Sequence, residues 1–171
     1  MHHKLIAIAQ AEIGTREIGG NNRGPRIIEY QKATNLDPDN WAWCAAFVDF
    51  CIKEWLKDSD VVQWLNLQVS TPEQWRPKTA LAYGLTEWAK SRPKTTKIYT
   101  DKDQALPGDI VTFDFSHVGI VLEDDGKHIV TVEGNTNGRG DRDSESGDGV
   151  WRKIRAKSLA RDFIRIRSHL V

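Results

Sequence analysis

The chain is short of cysteine, of long apolar runs and of net charge. Its 171 residues include two Cys, and 24 Lys plus Arg balance 24 Asp plus Glu. Two cysteines cannot make a disulfide-stapled scaffold. No stretch approaches the roughly 18 apolar residues that span a bilayer, so no membrane partner is expected. The opening MHHKLIAIAQAEIG has too short an apolar stretch for a secretory leader and an acidic residue where cleavage would fall. Conventional export is therefore not expected. Zero net charge argues against a generic nucleic-acid binder. No repeat at periods of about 20–50 residues and no low-complexity tract is present. What remains is one globular domain over 1–171, long enough to bury about two thirds of its unfolded surface. It is expected to act as a monomer.

The zero conceals a partition. Residues 101–148 hold 4 basic and 12 acidic groups, whereas 149–171 hold 7 basic and 1 acidic. Charge runs are most often solvated faces or mutual partners, so these two segments are expected to lie side by side and neutralise each other.

The first half has helical character. An apolar-rich helix runs from Leu5 through Ile13 to a stop near Gly14. A turn-forming loop covers 19–25, a second short helix 26–33, and a turn Asp37-Pro38-Asp39-Asn40, in which Asp39 or Asn40 can cap the next helix. In that segment positions 44, 47, 48, 51, 52 and 55 are apolar, the stripe of a helix with one buried face. Another helix is expected over Thr79–Lys90. From Asp109 the period becomes two, with strands at 109–113, 117–123, 128–135, 150–155 and 162–167. Helices followed by strands predict an α+β fold, helices packed on one face of an antiparallel sheet.

Cys44 falls in the first turn of its helix, where the positive end of the helix dipole favours a thiolate. Cys51 lies two turns on, about 10.5 Å along the axis at 1.5 Å per residue, too far for the two to bridge. It is expected to be a small core hydrophobe. A thiolate nucleophile needs a base, and the base an orienting partner. Of the five His, the pair 2 and 3 belongs to a terminus expected to fray, and His169 is third from the other end. His128 follows a turn. His117 opens a strand and is the best placed. If the next hairpin closes through a three-residue loop, Asp124-Asp125-Gly126, His117 faces Glu133 directly, and Asn135 shares that face.

The series Trp43-Cys44-Ala45-Ala46-Phe47, Gly108-Asp109-Ile110-Val111, Ser116-His117-Val118-Gly119-Ile120-Val121 and Val132-Glu133-Gly134-Asn135 resembles the CHAP domain. That is the cysteine, histidine-dependent amidohydrolase/peptidase of the papain-like, NlpC-type superfamily. The resemblance covers about residues 5–136 and is nearest to single-domain phage and prophage lysins. It leaves 137–171 as a basic, strand-rich tail completing the fold. It implies a papain-like fold with Cys44 as nucleophile, His117 as general base and then acid, Glu133 orienting the imidazole, and Asn135 holding the ring or assisting. The implied partner is bacterial peptidoglycan, cut at the muramoyl–L-alanine amide or within the peptides. Trp41 and Trp43 flank the nucleophile and are candidates to stack on substrate.

The chemistry requires no cofactor. Some relatives bind calcium through acidic loops, and here Asp37, Asp39 and Asn40 form one such string, with Asp141, Asp143, Glu145 and Asp148 a second. Neither has the 12-residue EF-hand pattern. Two alternatives differ in class: a cysteine amidase or toxin acting on a non-wall substrate, and a non-catalytic binding module in which Cys44 is core.

Overall fold

The computed structural model describes residues 1–67, 71–100, 105–139 and 147–169. Six helices, α1 (His2–Ala11), α2 (Pro25–Gln31), α3 (Cys44–Trp55), α4 (Ser59–Trp64), α5 (Pro72–Trp75) and α6 (Gly84–Lys90), precede a six-stranded sheet. The strands are β1 (Thr96–Tyr99), β2 (Ile110–Phe113), β3 (His117–Asp124), β4 (His128–Thr136), β5 (Gly149–Ala156) and β6 (Ala160–Ile166). All pairings are antiparallel, in the order β1-β6-β2-β3-β4-β5.

One face of the sheet carries Ile110, Val118, Ile120, Val132, Val150 and Ile164 into the main core with α1, α2 and α3. The other face carries Val111, Phe113, Val121, Ile129 and Phe163 into a smaller cluster. The alternation of the strand sequences is therefore used twice, with apolar residues on both sides. Helix α3 departs from the one-sided stripe. Every residue from Cys44 to Ile52 is buried, Ala45, Ala46, Asp49 and Phe50 included. It is a central helix enclosed by its neighbours, which is how a carboxylate came to lie inside.

Three local expectations change. The terminus does not fray: His2 begins α1, its Nε2 lies 2.6 Å from the carbonyl of Ile166, and its ring packs on Trp55 and Trp64. The helix expected from Thr79 begins only at Gly84. The Thr79 hydroxyl instead accepts from the Leu81 amide, and the Thr79 amide donates to Asp49, bonds that compete with helix formation. Strand β1 and the short helices α4 and α5 have too little periodicity to be read from sequence.

The tail does not trail from the domain. Strand β5 extends the sheet beyond β4, and β6 inserts between β1 and β2, so the two strands bracket the β2–β3–β4 meander. Their cations meet the acidic segment: Arg155 pairs with Glu133, Lys157 with Asp124, Arg165 with Asp109 and Arg152 with Glu123. The −8 and +6 segments neutralise each other across strand pairings.

Candidate active site

Cys44 is the first residue of α3. Its N-cap is Trp43, with no side chain capping the helix, in place of the Asp39 or Asn40 cap expected. The first helical bond runs from the Phe47 amide to the Trp43 carbonyl. The amides of Cys44, Ala45 and Ala46 therefore point out of the helix without an intrahelical acceptor. Cys44 is 6% exposed. It opens on a groove of about 490 Å³ that Ala42, Leu81, Tyr83, Glu87, Ser116 and Arg161 help to line.

His117 begins β3 directly after Ser116, which adopts a left-handed backbone (φ 59). The Tyr83 hydroxyl secures this turn from outside, donating to the Phe113 carbonyl (2.8 Å) and accepting from the Ser116 amide (3.0 Å). The imidazole is fully buried and lies nearly parallel to Phe115, with Phe113 next in the stack. Its Nε2 hydrogen-bonds to Glu133 Oε2 at 2.8 Å. Burial alone would lower its pKa, but hydrogen bonding to Cys44 and to Glu133 outweighs it and holds the pKa up at about 9. Nδ1 is buried without a well-aligned hydrogen bond. With Nε2 taken by Glu133, it is the nitrogen left to serve Cys44.

Glu133 is completely buried and fully engaged. Thr131 Oγ1 (2.6 Å) and Arg155 Nε (2.9 Å) donate to Oε1, and His117 Nε2 and Arg155 Nη2 (2.5 Å) to Oε2. Desolvation works to raise its pKa, but the bonds from Arg155 and His117 win and hold it at about 2. Arg155 itself is 2% exposed and lies over the rings of Phe113 and Phe115, so one cation braces both the carboxylate and the aromatic stack behind the imidazole. Sequence reading missed Arg155, which belongs to the basic tail beyond the matched motifs. The unbalanced tail charge was the signal that could have found it.

The hairpin register differs from expectation. The loop is Asp125-Gly126-Lys127, with Gly126 at φ 90 and the Asp125 amide bonded to the His128 carbonyl. A bulge falls between Val121 and Glu123, and beyond it Ile120 pairs with Val132. In that frame Glu133 lies opposite Gly119, two residues from His117. A shift of two keeps every side chain on its face, so His117 and Glu133 still meet, now along a diagonal. Gly119 makes the diagonal possible: a Cβ there would sit 2.7 Å from Glu133 Cγ. Gly134 has the matching role against the helix, where a Cβ would lie 2.6 Å from Phe47 Cβ and 2.8 Å from Trp43. These two glycines let β3, β4 and the start of α3 approach closely enough to share one site.

The remaining candidates separate. Asn135 is buried at a strand irregularity with φ 53, and the hydrogen bond of the imidazole Nε2 is with Glu133. Trp43 cannot stack on substrate. It is completely buried, stacked on Tyr30 at 5.5 Å, with its indole N–H donating to Glu17. Trp41 is half-buried, its indole N–H bonded to the Asp37 carbonyl. Asp39 accepts the Asn40 amide in a turn. Among the described residues no group of three or more His, Cys, Asp or Glu is disposed to hold a metal. Of the second acidic string, Asp141, Asp143 and Glu145 lie outside the described residues. Cys51 is buried, unpaired and pushed to a high pKa by burial.

The far wall of the groove is anchored by Asp49. Its Oδ2 accepts the Thr79 amide at 2.6 Å, while Oδ1 is buried without a partner. Burial pushes its pKa well above the usual carboxylate range, against the hydrogen bond from Thr79 and the field of Arg76.

The site thus joins a cysteine at the N-terminus of a buried helix to an imidazole on an antiparallel sheet that is itself held by a carboxylate. A family profile for the CHAP domain matches residues 36–135, and the chain belongs to that family. No curated protein matches it. Among solved structures, the crystal structure of Ly7917 superposes with a TM-score of 0.53 at 14% identity, covering 97% of this chain and 62% of that one. Ly7917 with the hydrolyzing product of MDP gives 0.48 at 13% identity, covering 98% and 63%. The chain thus spans less than two thirds of the length of these neighbours. The family match ends at residue 135, so Arg155 lies outside it.

Proposed function

We propose that the chain is a cysteine amidohydrolase that cuts an amide bond of bacterial peptidoglycan, as a phage-type endolysin does. The observation that carries this reading is the buried Cys44–His117–Glu133 series, in which the imidazole is held protonated at neutral pH beside a cysteine at a helix start. An imidazolium there is the counter-ion that a thiolate needs. Cys44 Sγ attacks the substrate carbonyl carbon, and the Cys44 amide, free at the end of α3, donates to the developing oxyanion. His117 passes its proton to the leaving nitrogen, the C–N bond breaks, and a thioester remains. The neutral imidazole then takes a proton from water, whose oxygen attacks the thioester and releases the acid and the thiolate. Glu133 and Arg155 keep the ring oriented throughout. Ly7917, whose structure was solved with the hydrolyzing product of MDP, suggests muramyl peptides as the first substrates to try.

The test is incubation with purified peptidoglycan and mass analysis of the products, wild type beside Cys44→Ala. Wild type is expected to release fragments and Cys44→Ala none. A new amino group on the first stem residue identifies an amidase, and one within the peptides an endopeptidase. Absence of any wall product from the folded wild type overturns the reading and leaves a non-wall amide as substrate.

A further inference from the structure

Arg161 differs from most of the described arginines. Arg26, Arg76, Arg92, Arg155 and Arg165 all donate hydrogen bonds to carboxylates or carbonyls. Arg161 lies 4.0 Å above the ring of Tyr83, and its charged contact is with Asp162 at 3.7 Å, beyond hydrogen-bond range. Asp162 Oδ2 is meanwhile the acceptor for the hydroxyls of Thr86 (3.2 Å) and Thr112 (3.4 Å). The guanidinium is therefore fixed by stacking while its donors stay available. Its platform is rigid, because the Tyr83 hydroxyl is bonded on both sides within the turn that precedes His117. Arg161 and Cys44 line the same groove with Ala42, Ala80, Leu81 and Ala82, and the Glu87 carboxylate in that lining is paired with Lys90 at 2.7 Å. A planar fork of donors, placed over an aromatic ring and partly exposed, is matched to a carboxylate.

We propose that Arg161 forms a carboxylate-binding subsite for a stem-peptide residue close to the scissile amide. The proposal rests on the peptidoglycan reading above and narrows it to stem peptides bearing a free α-carboxylate on the second residue. Tyr83 is the element that joins recognition to catalysis, since it carries the guanidinium on its face and the His117 turn on its hydroxyl.

The test uses two disaccharide-tetrapeptides that differ only at that second stem residue, one with the free α-carboxylate and one with the carboxamide. Wild type is expected to favour the carboxylate form by about tenfold or more in kcat/KM, the worth of one charge-assisted pair. Arg161→Ala should lose that factor on the carboxylate form, mainly through KM, and change less than about twofold on the carboxamide. Arg161→Lys, which keeps the charge and loses the fork, should fall between. Equal loss on both forms, or no discrimination by wild type, overturns the subsite while leaving the amidohydrolase reading intact. Failure of wild type to cut either compound or purified wall overturns both. The Arg161 side chain is 43% exposed, so the variant is expected to keep the wild-type thermal midpoint, which is measured alongside.

Discussion

Among the described residues the carboxylates of Glu133 and Asp49 are both wholly buried, and their pKa values are pushed in opposite directions. Glu133 accepts four hydrogen bonds, two of them from a buried arginine, and its pKa is driven down to about 2. Asp49 accepts one backbone amide, leaves an oxygen without a partner, and its pKa is driven well above the usual range. Depth is the same, so burial does not decide the charge; the number and charge of the donors do. The two sites use the difference. A charged Glu133 holds a charged imidazole on the sheet side of the site. Asp49, whose pKa burial pushes up, ties the 79–83 loop, the opposite wall, to α3 through the Thr79 amide.

The largest expected effect comes from removing the cation that distinguishes the two. Arg155→Met strands Glu133 as an unpaired buried charge and should cost about 3–5 kcal/mol of unfolding free energy, read by urea denaturation at pH 7. A cost below about 1 kcal/mol would mean that Glu133 does not depend on Arg155. Glu133→Gln keeps the volume and removes the charge. It should lower kcat/KM by about a hundredfold or more. It should also move the alkaline limb of the pH–rate profile down from about 9, because the imidazolium loses its counter-ion. An unmoved limb would contradict the assignment.

Next is Gly119→Ala, whose Cβ meets Glu133 Cγ and, at 3.1 Å, the Val132 carbonyl. About 1–3 kcal/mol of destabilisation is expected by thermal melting, together with weakened coupling of His117 to Glu133, visible as a lowered histidine pKa by NMR. The smallest effect is expected of Asp49→Asn, an uncharged isostere for a group already favoured as the uncharged acid, with a change within about 1 kcal/mol. The signs of the pH dependence separate the pair. Stability due to Glu133 is present above about pH 4.5 and is lost as pH falls toward 2. Stability due to the Asp49 acid is present below its unfolded value of 3.8 and is lost as pH rises through its raised folded value. The His117 contribution is present below 6.5 and is lost as pH rises through about 9. Chemical denaturation across pH should show Asp49→Asn removing a falling slope and Glu133→Gln a rising one.

Much of the architecture could be read along the chain because it is written in local period. Helix α3 itself, the period-two strands from 109 onward and the position of Cys44 at a helix start each depend on residues a few positions apart, and the structure contains them. The acidic and basic segments likewise announced their pairing by composition. Facing parity also survived a wrong register, because a shift of two residues leaves each side chain on its own side of a pleated strand.

Contacts between distant residues were decided elsewhere. The bulge at Val121/Glu123, the burial of Trp43 against Tyr30, and the choice of Glu133 rather than Asn135 for the imidazole result from how closely β3, β4 and α3 pack. Arg155 reaches Glu133 across 22 residues of chain, and Arg161 reaches the Cys44 groove from 117 positions away. Sequence by itself determined which residues carry reactive groups and which face of its element each occupies, since periodicity fixes direction. Only the tertiary structure decided which of those groups meet and in what charge state. Partner number and desolvation are properties of the packed neighbourhood, set by segments that the chain brings together only on folding.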